Sequence, residues 1–81
     1  MVLDYFLISL KWRSDHASPN WNYSQEVYFG SRPGDVVLKH YKLSEENGSH
    51  EQYIPLSIVR ISKSTYHELK TMGFPGEVGE T

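Results

Sequence analysis

Apolar and polar residues alternate along residues 4–13. Phe6, Ile8, Leu10 and Trp12 fall on one side, and Tyr5, Leu7, Ser9, Lys11 and Arg13 on the other. A period of two in β-branched and aromatic residues predicts a strand, because successive side chains of an extended chain point to opposite faces. The second face starts apolar and ends basic, so cover is expected at one end and exposure at the other. Ser14 to Asn20 has loop chemistry. Residues 21–29 alternate again, with Trp21, Tyr23, Val27 and Phe29 against Asn22, Ser24, Glu26 and Tyr28. Gln25 interrupts the apolar series, and a bulge or an open edge is expected there.

Arg32-Pro33-Gly34-Asp35 fits a turn with Pro second and Gly third, where positive φ is wanted. Val36 to Leu43 then reads as a third strand, with Val36, Leu38, His40 and Lys42 on one face. Asn47-Gly48 is a hairpin signal. Tyr53 to Ile61 reads as a fourth strand, and Pro55, lacking an N–H, argues for an edge position or a bulge.

A helix follows. Ser62 can cap it with Ile61 and Tyr66 as a hydrophobic staple, or Thr65 can cap it with Glu68 completing a capping box. Tyr66, Leu69 and Met72 form its apolar stripe, Gly73 suits the residue after its end, and Pro75 stops it. Phe74 is expected to fold back as the last anchor, and Pro75 to Thr81 reads as a flexible tail.

The order β-β-β-β-α predicts one α+β domain over residues 1–74. Its expected form is a small four-stranded antiparallel meander with one short C-terminal helix. The sheet can be open or curled toward a barrel. The open form is favoured because a closed OB-type barrel uses five strands.

Composition narrows the function. The chain has 81 residues and no cysteine, which excludes a disulfide framework, a thiolate zinc site and a thiol nucleophile. A net charge of −2 with mixed signs argues against a polycationic nucleic-acid coat. The apolar start is interrupted by Asp4 and is far shorter than the ~20 residues that span a bilayer. A cytoplasmic protein with no membrane contact is expected. A chain this size buries a thin core, so homo-oligomer formation or a larger partner is expected to supplement it.

His16, His40, His50 and His67 show no ligand spacing and are expected to be solvated, so neither metal nor cofactor is implied. No Gly-x-Ser-x-Gly elbow occurs, and Gly30 to Gly34 lacks the Lys-Ser/Thr of a phosphate loop. A non-enzymatic role is expected. The unusual feature is aromatic content: two Trp, six Tyr and three Phe.

Tyrosine and arginine are enriched at interface hot spots. The first expectation is therefore a stoichiometric inhibitor or accessory module of the build seen in small viral and mobile-element proteins. It would bind a larger protein through a tyrosine-rich sheet face bearing Tyr28, Arg32, Tyr41 and Tyr53. The alternative is nucleic-acid binding by stacking and charge, through Lys11, Arg13, Trp21, Tyr23 and Lys42. A third reading is a small-ligand-sequestering homo-oligomer. Whether Trp12 and Trp21 face out separates the first two readings, and the alternation groups both with apolar faces, as core.

Overall fold

A computed structural model describes residues 2–14, 19–48 and 51–79. The elements are β1 (Asp4–Arg13), β2 (Asn22–Gly30), α1 (Asp35–Asn47), β3 (Gln52–Ile61), α2 (Lys63–Thr71) and β4 (Gly76–Val78). They form one four-stranded sheet in the order β3-β1-β2-β4. β1 runs antiparallel to β2 and β3, and β4 runs parallel to β2. The fold is α+β with a mixed sheet and two helices. The expected all-antiparallel meander with a single helix is corrected in two places.

The first correction is residues 35–47, which form a helix where a strand was expected over 36–43. The buried residues of α1 are Val36, Val37 and Ser44, a spacing of one helical face with a polar residue at its far end. His40, half-buried on the same face, contacts Glu26 at 3.1 Å and stacks on Tyr53. A helix whose inner face carries histidine and serine hides its period, and the short Val-Val-Leu run then reads as extended. The two glycines flanking it also change role. Gly34 sits at φ −63°, so the 32–35 turn winds directly into the helix and needs no positive φ. Gly48 takes φ +69° and ends the helix, its N–H bonding to Glu45 O at 3.1 Å, rather than turning a hairpin.

The second correction is the expected tail. Gly73, at φ +98°, closes α2 as expected, with Phe74 N–H bonding back to Leu69 O. The chain then turns alongside β2. Val27 N–H bonds to Pro75 O and Gly79 N–H to Phe29 O, and residues 76–78 become the fourth strand. Parallel pairing to a distant strand leaves no local sequence pattern.

The other sequence-derived elements stand, except that Met72, expected in the apolar stripe of α2, is 73 % exposed. Ser62 caps α2, its Oγ accepting from Thr65 N–H at 3.1 Å, and Tyr66 at the staple position is buried. β3 is an edge strand, and its pairing with β1 slips by one residue where Leu10 faces Pro55, which makes Leu56 the bulged residue. The β1–β2 register runs unbroken through Gln25 and β4 pairs only with Val27–Phe29, so of the two features expected there the open edge occurs and the bulge does not.

That register decides the layering. Phe6 faces Tyr28, Ile8 faces Glu26, Leu10 faces Ser24 and Trp12 faces Asn22. The apolar strip of β1 therefore shares a face with the polar strip of β2, and the reverse holds on the other side. Each sheet face is half apolar and each receives a helix. On the first face α1 packs Val36 and Val37 onto Ile8, Leu10 and Tyr28, with Phe6, Trp12 and Tyr53 around them. On the second, Tyr66 of α2 stands 4.9 Å from Tyr5, which stacks on Phe29 at 4.6 Å over a fully buried Val27.

Candidate functional site

The second face is only half covered. β1 is ten residues long, about 33 Å at strand rise. α2 has nine residues, about 14 Å at helical rise, and it sits over the Tyr5–Phe29 end. The remaining half carries Ser9, Lys11 and Arg13 from β1, with Tyr23 and Gln25 opposite them on β2 and Trp21 just before that strand. On β3 this half carries Ile54 and Gln52, facing Lys11 and Arg13. None of these positions is a carboxylate.

Within this half, Tyr23 is 71 % exposed. The Lys11 ammonium and the Arg13 guanidinium each lie 4.5 Å from the centre of the Trp21 ring. Cations over an indole are attracted by its quadrupole, worth about 0.5–1 kcal/mol at exposed sites. Trp21 thus packs against the two β1 cations rather than in the core cluster. Arg13 Nε also donates to Gln52 Oε1 at 2.8 Å, which ties the guanidinium to β3. Gln25 Nε2 donates to Ser9 Oγ at 3.1 Å. Next to this pair a pocket of about 460 Å³ opens between Tyr23, Leu56, Phe74 and Pro75. Ser9, Gln25, Gln52 and Leu56 were not foreseen as site residues. The only sequence signal was the break that Gln25 makes in the apolar series.

Four of the five residues expected for nucleic-acid binding, Lys11, Arg13, Trp21 and Tyr23, therefore come together. The fifth, Lys42, lies on α1, over the opposite face. The two tryptophans separate for the same reason. Trp12 packs against the core and Trp21 faces away from it, because the register pairs even-numbered with even-numbered residues.

The residues expected for a protein partner do not form one exposed sheet face. Tyr28 is 3 % exposed and belongs to the core. Its hydroxyl accepts from Arg32 N–H at 3.3 Å, and its ring fills space left by Gly30 and Gly79, where any Cβ would overlap it. Tyr41 is on a helix, and its hydroxyl donates to Tyr53 O at 2.6 Å and receives Tyr53 N–H at 3.3 Å. Tyr53 stacks between His40 and Trp12 and bonds Glu51, and burial first, then that bond, pushes its hydroxyl up to about 12. Arg32 pairs with Asp35 at 3.4 Å on the surface. On α1, Lys39 bonds Glu77 of β4 at 2.8 Å, and that bond raises its pKa.

His40 is packed rather than solvated, and His67 makes ring contacts with Tyr5 and Tyr66. His16 and His50 lie outside the described residues. Among the described residues no group of three His, Asp or Glu could hold a metal, and no helix is long and apolar enough to cross a membrane. No family model matches the chain, and no curated protein or solved structure matches it either.

Proposed function

We propose that the chain is a binding module that works through the open half of the α2 face, and that its ligand is a short single-stranded nucleic acid. The observation that carries this is the grouping of Tyr23, 71 % exposed, with Trp21 and the two cations 4.5 Å from its ring. An exposed aromatic offers a stacking platform worth about 1–3 kcal/mol per base, and any base can use it. Lys11 and Arg13 stand beside that platform, where a phosphate chain would pass. Two neutralised phosphates, at about −0.7 each, give a shallow salt slope of about −1.4, so binding is modest and only weakly sequence-selective.

Retardation of a labelled oligothymidine at low salt tests the reading. Binding is expected in the native chain and a loss of at least tenfold in Tyr23→Ala. No retardation of any oligonucleotide at low salt rejects it.

A second reading uses the same surface for a larger protein, with the chain acting as a stoichiometric inhibitor or accessory. Tyr, Trp and Arg side by side are hot-spot residues, and the net charge of −2 suits a protein partner better than a polyanion. Under this reading Tyr23→Ala weakens the complex by about 2 kcal/mol with no oligonucleotide bound.

A further inference from the structure

The two edges of the sheet are unequal. β4 covers one side over three residues, pairing only with Val27–Phe29 of β2. β3 forms the other with ten, and Leu56, Ile58 and Val59 on it are 51 %, 41 % and 50 % exposed. A long edge presents a row of unpaired N–H and C=O groups, and proteins usually blunt it with lysine, proline, a bulge or a covering group. Here every such device lies in the first part of the strand. At Tyr53 the Tyr41 hydroxyl takes the place of a neighbouring strand, bonding both the N–H and the C=O. Pro55 has no donor, and the bulge follows at Leu56. From Ser57 to Ile61 none of these protections recurs. The one charge there, Arg60, is paired with Asp4 of the neighbouring β1.

We propose that two copies of this chain pair β3 against β3 over Ser57–Ile61, antiparallel across a two-fold axis, which joins two sheets into one of eight strands. Only an extended segment can satisfy a row of outward backbone groups. β4 is three residues long and pairs only with Val27–Phe29 of β2, so Asn22–Glu26 is a second open run, but four of its five residues are polar, and the apolar Ser57–Ile61 edge is matched best by another copy of itself. The charge pattern fits a self-partner. Arg60 is compensated within its own chain, so two copies of β3 meet without a bare like-charge contact. Pairing also covers Ile58 and Val59, which flank the junction on opposite sheet faces. An isologous contact of this kind closes at two copies. Its ladder is short, so it belongs with contacts below about 1,200 Å² and is reversible. It does not depend on the reading of the α2 face.

Sedimentation equilibrium across a concentration series tests it. Mass is expected to rise from 9.4 kDa toward twice that value and to stop there. Ile58→Lys and Val59→Lys, with their fold checked by circular dichroism, are each expected to hold the chain at one copy. Amide exchange on the unsubstituted chain needs no variant: protection over Ser57–Ile61 is expected to increase with concentration while that of β4 does not. A strict monomer at millimolar concentration overturns the proposal. So does a dimer indifferent to both lysines, which would place the contact or a different occupant elsewhere, and so does growth beyond two copies.

Discussion

The face under α1 and the face under α2 begin from similar material, an apolar strip from one strand beside a polar strip from the next. They end differently. α1 runs thirteen residues, about 20 Å, and covers Ile8, Leu10 and Tyr28 with Val36, Val37 and an inner layer of hydrogen-bonded polar groups, leaving Ile58 at the β3 edge 41 % exposed. Every buried side-chain nitrogen and oxygen among the described residues has a partner. α2 is shorter and leaves Ser9, Lys11, Arg13, Tyr23 and Gln25 beyond its reach. The shorter helix and the basic end of β1 together leave that half as surface.

Substitutions on the two faces should therefore diverge. The largest effect is expected at Ile8, which is fully buried under α1: Ile8→Ala costs about 2–5 kcal/mol in the denaturant midpoint. A loss below 1 kcal/mol would mean that the α1 face is not the main core. Gly79→Ala comes next, at about 1–3 kcal/mol, because its methyl would overlap the Tyr28 hydroxyl that reaches from the α1 face toward β4. Tyr28→Phe in the same background should relieve part of that cost, and failure to do so would break the link between core and β4. Ser62→Ala removes the α2 cap and costs about 1 kcal/mol, without altering the Ile8 side.

Tyr53 sharpens the comparison through pH. Its hydroxyl is raised from 10.0 to about 12, so the folded chain favours the neutral phenol. The stability this supplies is complete below pH 10 and is lost as pH rises through 12. Tyr53→Phe should flatten that alkaline decline. The smallest effect is expected on the open half: Tyr23→Ala stays within about 0.5 kcal/mol of the parent stability.

Much of this was readable in the residues. Both long hairpin strands, the α2 cap, its Gly73 end, the edge position of Pro55 and the basic end of β1 follow from local chemistry. What was hidden is of two kinds. α1 disguised itself because His40 and Ser44 occupy its inner face, where leucines would have shown the period. The partition of Trp12 from Trp21 and the parallel docking of β4 depend on register, which two separately alternating strands do not encode. The site was legible as a cluster of Lys11, Arg13, Trp21 and Tyr23. Lys42 was drawn into the set only because a strand was expected where a helix stands.

The proposed working surface is the open half of the α2 face. Amide chemical-shift mapping during titration with a short oligothymidine tests that most directly. Shifts confined to residues 9–13, 21–25 and 52–56, saturating and weakening with salt, are expected. Shifts centred on α1, or no shift at low salt, would contradict it.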